Sequence, residues 1–540
     1  MHKIKFLLLA VFLVSACSSS KTLVTKTSDS EISEVALKEE AAKNWHLESI
    51  SSSDYFGIEA NRAYSELLAN KTPSKKVVVA IIDSGTDIYH EDLAANIWVN
   101  EGEIPGNGID DDGNGYVDDV HGWNFIGGDN GEHLDKDTYE VTRLYVSLSE
   151  KFAGMDSATM SNDEDYDLFL KVLDDFEKKR DEANTNFQQL EQVQQMVQWS
   201  KMQLNISSLD SLDASSLEIE EGNSPELKQA KEILGYYSRL GVSESDIEEA
   251  VNHYSNQVNY SFNADFDPRY IVGDDYEDLT NRFYGNNDVK GPSSDHGTHV
   301  AGIVGAVRNN GLGIDGIANN VALMIVRTVP DGDERDKDVA NAVRYAVDNG
   351  ADIINMSFGK GYSPEEAYVD AAFKYADEQG VLVIHSAGND GKNNDDIKTY
   401  PNKYFLDGTI SQNFISVGAS SWSPASDSSL AAPFSNYGSS VDLFAPGVDV
   451  YSTYPENTYK AASGTSMAGP VVAGAAALIM SYYPELTASD VKEILIKSAT
   501  IIGDTPVFKP GSTEIVPFST LSATGGIVNV YQALKLAQNK

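Results

Sequence analysis

Three short stretches of this chain carry side chains that together could break an amide bond. Amide hydrolysis near neutral pH needs a nucleophile stronger than water, a base to activate it and a group that orients the base. Asp83 directly follows an apolar run, Val-Val-Val-Ala-Ile-Ile. Residues 295–302 read Asp-His-Gly-Thr-His-Val-Ala-Gly, and 464–470 read Gly-Thr-Ser-Met-Ala-Gly-Pro ahead of an alanine-rich stretch. Asp83, His296 and Ser466 are the candidates for orienting carboxylate, base and nucleophile. Singly, each has a plain structural reading, such as a strand-end aspartate or a helix-capping serine. A second chemical feature is the acidic loop Asp110-Asp111-Asp112-Gly113-Asn114-Gly115-Tyr116-Val117-Asp118-Asp119. Oxygen side chains alternate there, with glycine sixth, as a tight calcium-binding turn requires. His121 stands where an EF-hand has its twelfth-position glutamate, so Asp118 or Asp119 would have to complete the shell. The expected set is Asp110, Asp112, Asn114 and Asp118 around a structural calcium, with an acidic turn lacking metal as the other reading.

The elements that must position these groups follow from hydrophobic periodicity. An unbroken apolar run at 77–82 and similar runs at 321–326, 353–356, 381–384 and 414–417 suit strands buried on both faces of a parallel sheet. Segments between them, such as 339–349 and 364–379, carry helical spacing. Strand alternating with helix predicts an α/β fold with a doubly wound, mostly parallel sheet, whose ligands bind beyond the carboxyl ends of the strands. Residues 129–284 break the alternation, being acidic, glutamine-rich and without buried-strand runs, and read as an inserted helical subdomain. Phe169, Phe176, Ala183, Leu190, Val197 and Leu204 recur every seventh residue and predict one long helix. Leu173 and Phe187 supply a second row, which Arg180, Gln194 and Lys201 interrupt. Further helices are expected at 225–240 and 243–254, the latter opening with Ser243 and Asp246 in capping-box spacing. The α/β domain then comprises 44–128 and 285–540. The insert either overhangs a cleft near His296, as a lid or docking arm, or forms a solvated side domain.

In the order Asp, His, Ser these strings resemble the subtilisin-like serine proteases. The resemblance rests on Ala80-Ile81-Ile82-Asp83-Ser84-Gly85, on HGTHVAG from His296 and on GTSMAGP from Gly464, and covers about 44–129 and 284 to the end. Thr86 stands where an aliphatic residue is usual. The resemblance implies that Ser466 is the nucleophile, His296 its general base and acid, and Asp83 the group that orients His296. It implies an oxyanion donor in Asn389, within Ser386-Ala387-Gly388-Asn389-Asp390, joined by the Ser466 backbone amide. Asn355-Met356-Ser357-Phe358-Gly359 resembles the family's substrate-binding edge, so Ser357, Phe358 and Gly359, with Gly388, are the expected substrate-binding residues. Phe358 replaces a usual leucine. No cofactor is expected for catalysis. His299, one helical turn beyond His296, reads as structural.

The chain begins as an export signal: basic residues precede an apolar run at 6–14, too short to span a bilayer. Val14-Ser15-Ala16-Cys17 resembles the lipobox of bacterial lipoproteins, which makes Cys17, the single cysteine, the expected lipidation site. Residues 1–17 then form the signal and 18–43 a serine- and lysine-rich tether, and the protein is expected to be exported and held on a bacterial membrane by its lipid. With 82 acidic against 40 basic side chains and a net charge of −42, the composition argues against nucleic acid as a partner. Two functions of different class stand: an endopeptidase acting on proteins or peptides, and a lipid-anchored protein whose protease-like domain captures peptides. The retained serine, histidine, aspartate and oxyanion asparagine favour the enzyme.

Overall fold

The computed structural model describes residues 43–540 apart from 54, 156–163, 210–211, 213–216, 221 and 423–427. Cys17, the signal segment and residues 18–42 of the tether lie outside the described residues. The described chain forms two compact units, one of residues 136–267 and one of residues 43–135 with 268–540.

The larger unit is built on strands β1 (Val77–Asp83), β2 (Gly122–Asn124), β3 (Val321–Arg327), β4 (Ile353–Met356), β5 (Leu382–Ser386), β6 (Phe414–Ser420), β7 (Leu443–Pro446), β8 (Val450–Tyr454), β9 (Thr458–Ala462), β10 (Thr500–Ile501), β11 (Pro506–Phe508), β12 (Ile515–Pro517) and β13 (Gly526–Ile527). Nine of them form one sheet in the order β10-β13-β7-β6-β5-β4-β1-β3-β2. Every pairing in it is parallel except that of β10 with β13. Two separate hairpins pair β8 with β9 and β11 with β12. The expected doubly wound parallel sheet is therefore present.

The unbroken apolar runs have the expected cause, because alternate side chains enter two different cores. Val79 and Ile81 pack with the helices Asp295–Gly305 and Thr465–Tyr482 on one face. Ala80 and Ile82 pack with the helices Asp336–Asp348 and Glu366–Glu378 on the other. Helix Thr465–Tyr482 is apolar enough to cross a membrane by length and composition, yet it lies buried within this core. β2 and β7 carry no run long enough to announce a strand; the sheet itself recruits them. Trp45 is fully buried and its Nε1 donates to the Val448 carbonyl (3.2 Å), so residue 45 is already part of the packed larger unit.

The second unit contains helices Glu140–Phe152, Glu164–Leu204, Pro225–Arg239 and Glu244–Asn256. It is narrower than the expected 129–284. Residues 268–284 belong to the larger unit, where the Arg269 guanidinium makes two-pronged ion pairs with Asp274 and Asp338. Ser243 and Asp246 form the expected capping box. In the long helix Phe176, Ala183, Leu190 and Val197 are buried as expected, but the second row is one residue earlier than expected, at Val172, Val193 and Ser200. Leu173 is half-buried. Three-residue spacing from the first row, rather than four, closes this seam, which is why Arg180, Gln194 and Lys201 can stand at the neighbouring positions.

Candidate active site

β1 ends on Asp83, whose Oδ1 accepts from the Ser84 amide (2.7 Å) and from His296 Nδ1–H (2.8 Å). His296 is the second residue of helix Asp295–Gly305. That helix reaches Asp83 because residue 297 is glycine: a Cβ there would stand 2.1 Å from the Gly85 carbonyl oxygen. Asp83 is 2% exposed and, among the described residues, its Oδ2 meets no donor, so His296 is the cationic partner available to its charge. Loss of hydration alone would lower the His296 pKa, but the Asp83 carboxylate, with Asp295 adding to it, outweighs this and the net shift is upward. With Nδ1–H fixed on the carboxylate, Nε2 is left to act as base.

The β8–β9 hairpin holds the histidine helix from the other side. Ser452 Oγ donates to the His299 carbonyl (2.7 Å), Thr453 Oγ1 to the Thr298 carbonyl (2.7 Å), and His299 Nε2–H to the Lys460 carbonyl (2.9 Å). His299 is buried, and burial pushes its pKa down to about 4, as suits a neutral structural imidazole.

Ser466 lies in the first turn of helix Thr465–Tyr482, whose positive dipole end favours negative charge nearby. Its hydroxyl donates to the Ser357 carbonyl (3.0 Å), and among the described residues no hydrogen bond joins it to His296. Catalytic hydrogen bonds are commonly loose before substrate arrives. Asn389 follows β5. Its Oδ1 accepts from both the backbone amide and the hydroxyl of Thr465 (2.9 Å each), which turns Nδ2 the other way. A point at the Cβ position of Gly464 would lie 3.5 Å from the Ser466 amide nitrogen and 3.6 Å from Asn389 Nδ2. The two nitrogens thus face the same region beside Gly464.

Gly388 has φ 104°, and a Cβ there would meet Asn436 Nδ2 at 2.5 Å. Asn436 is fully buried and braces this loop: its Nδ2 donates to the Ala387 carbonyl (3.1 Å), and its Oδ1 accepts from the Asp390 and Lys392 amides (3.0 Å each). Sequence reasoning missed Thr465 and Asn436. Thr465 stood inside the recognised string beside Ser466, whereas Asn436 carried no signal. Ser357, Phe358 and Gly359 follow β4, being respectively buried, half-buried and exposed, so this edge opens outward from the sheet.

The acidic loop distributes its carboxylates differently from expectation. Asp110 accepts from the amides of Gly113, Asn114 and Gly115, and Asp118 from those of Gly106, Asn107 and Gly108. Asn114 Nδ2 faces Asp112 and Asp119. The carboxylates that converge are Glu103, Asp112 and Asp119, with one oxygen of each within 4.8 Å of the others. Of the four residues expected, Asp112 alone joins this cluster. Burial pushes the Asp119 pKa up to about 6 although Tyr345, Asn100 and Asn114 donate to it.

The family model described as the Subtilase family matches residues 74–518. The chain is 39% identical over 224 residues to Subtilisin DY of Bacillus licheniformis, an alignment covering 41% of this chain and 76% of that protein. It is 38% identical over 226 residues to Subtilisin NAT of Bacillus subtilis subsp. natto, covering 41% of this chain and 55% of that protein, so it spans about half the length of this relative. Subtilisin BL of Lederbergia lenta is 37% identical over 217 residues, 40% of this chain and 74% of its own. The chain belongs to the Subtilase family, as a subtilisin-like serine endopeptidase.

Proposed function

We propose that the chain hydrolyses peptide bonds in proteins through an acyl-enzyme on Ser466. The 2.8 Å bond from His296 to Asp83 carries this reading, since it fixes the imidazole that Ser466 must use. His296 Nε2 takes the hydroxyl proton as Ser466 Oγ attacks the carbonyl carbon, then gives it to the leaving amine; water repeats the cycle on the ester. Asn389 Nδ2 and the Ser466 amide hold the oxyanion. An extended peptide lies along Ser357, Phe358 and Gly359, pairing backbone to backbone, with Gly388 opposite. Incubation of wild type and Ser466→Ala with casein and a fluorophosphonate tests this. The variant is expected to stay folded and to lose both labelling and proteolysis; labelling that persists overturns the assignment.

The same reading includes export and attachment to a bacterial membrane through lipid on Cys17, supported by the lipobox-like string and the short apolar run before it. It also includes a structural calcium. Glu103, Asp112 and Asp119 form an all-oxygen donor set of the kind calcium takes, and carboxylates so close repel one another unless a cation neutralises them. Calcium there would tie the loop to the sheet domain and would take no part in the reaction.

A further inference from the structure

His385 is buried, lies on the sheet between the oxyanion loop and the substrate edge, and has no part in the chemistry described above. We propose that it is a positioning residue for peptide substrates: its Nε2–H holds the Phe358 carbonyl and thereby sets the edge that Ser357 and Gly359 present. The proposal rests on the reading of that edge as the substrate-binding strand.

β4 and β5 pair in parallel as far as Met356 opposite His385, and there β4 ends. Successive carbonyls of an extended chain point to opposite sides. The Ser357 carbonyl faces the Ser466 hydroxyl at 3.0 Å, and the Phe358 carbonyl points back toward β5. A carbonyl turned inward needs a donor. The backbone ladder has run out, and the donor that reaches Phe358 is the His385 imidazole at 2.8 Å. The side chain therefore holds the chain two residues beyond the last backbone pair, Met356 with His385.

The rest of the segment is fixed at its two ends. Ser357 is bonded to Ser466, and Lys360 exchanges amide and carbonyl bonds with Tyr400 (2.9 Å each). Between these points His385 supplies the hold on Phe358. The ring is 4% exposed and packs against Phe414 with ring centroids 5.6 Å apart. It also borders a cavity of about 500 Å³, lined on other sides by Asn394, Lys403 and Ser440. The Phe358 ring packs on the second core and the Tyr400 carbonyl lies behind Gly359, but among the described residues the imidazole is the donor to the Phe358 carbonyl. Burial pushes the His385 pKa down to about 4, so the ring is neutral in the working range and donates from Nε2 as a fixed tautomer.

A displaced edge harms substrates in proportion to how much of it they use. His385→Leu is expected to lower kcat/KM for an extended tetrapeptide anilide by about tenfold, mainly through KM. Hydrolysis of a single-residue ester and the fluorophosphonate labelling rate should stay within about twofold. His385→Gln, whose amide N–H can reach the same carbonyl, should restore the peptide KM. Equal losses on peptide and ester, or a glutamine variant no better than leucine, overturns the proposal. Nitrogen NMR of the wild-type histidines reads the same hold without a variant: a neutral Nε2–H tautomer at His385, shifted when a peptide aldehyde binds, supports it, and an Nδ1–H tautomer overturns it. A wild type that no fluorophosphonate labels strikes at Ser466 as nucleophile and is thus distinguishable from any outcome at His385.

Discussion

Ser357 and Ser466 hold each other by two hydrogen bonds of equal length, each hydroxyl donating to the other's backbone carbonyl at 3.0 Å. The bond from Ser357 Oγ has its cause one turn along the serine helix. In an α-helix the Ser466 carbonyl would accept from the amide of residue 470, which is proline and has no N–H. Ser357 supplies the missing donor and so ties the nucleophile's backbone to the substrate edge. The other bond engages the Ser466 hydroxyl; under the proposed function an extended peptide competing for the Ser357 carbonyl would free that hydroxyl for His296.

Ser357→Ala leaves the Ser466 carbonyl without that donor. The unfolding free energy should fall by about 1–3 kcal/mol, and kcat should fall several-fold with little change in KM. Denaturant melts and peptide-anilide kinetics measure both. A variant as stable as wild type would show that the carbonyl finds another partner.

Asn389→Ala should lower kcat by about 10²–10³, the loss known for the equivalent donor of subtilisin itself, at nearly constant KM. Thr465→Val removes the hydroxyl that helps to aim Asn389 while keeping the backbone bond. Its loss should be smaller, about tenfold or less. A threonine variant as poor as Asn389→Ala would mean that the hydroxyl, not the backbone amide, sets the orientation.

The pH dependence of kcat/KM reports His296, which must be neutral to act as base. Because Asp83 raises its pKa above the ordinary 6.5, the acid limb of the profile should lie above that value. Asp83→Asn removes the carboxylate, so the limb should move to lower pH while the rate falls by about 10⁴. An acid limb that stays in place in this variant would detach Asp83 from the base.

Acid stability follows from three other histidines. Burial lowers the pKa of His46 to about 3 and those of His299 and His385 to about 4, against an ordinary 6.5. Below pH 6.5 the unfolded chain binds protons that the folded chain refuses, so each group's contribution is fully present above that pH. It is lost progressively as pH falls toward about 4, and toward about 3 for His46. Urea melts between these limits should show stability falling with pH, and His46→Phe should flatten the slope. An unchanged slope in that variant would mean that His46 gains its proton while folded.

A chelator should lower the melting temperature of wild type through lost ligand-linked stability. The doubly substituted Asp112→Ala, Asp119→Asn protein should melt at one temperature with or without chelator. Equal sensitivity of both proteins would place any calcium elsewhere.

The amino-acid order alone determined the alternation of buried strand and helix and the capping box at Ser243 and Asp246, and it singled out Asp83, His296, Ser466 and Asn389 as the candidates for the site. Periodic burial and short motif strings are local properties, written in consecutive residues and legible without knowing what they pack against. The tertiary structure decided the rest. The second seam of the long helix falls at Val172 and Val193 rather than Leu173 and Phe187, because offsets of three and four differ only in which face the neighbouring helices cover. The boundary at residue 268 depends on Arg269 finding Asp338. Glu103, Asp112 and Asp119 converge through the folding of one loop, Thr465 meets Asn389 and Asn436 meets the Ala387 carbonyl across distant segments, and the β4–β5 register brings the Phe358 carbonyl to His385. Such meetings join positions far apart in the chain, and no local pattern encodes the distance between two side chains that only a shared sheet brings together.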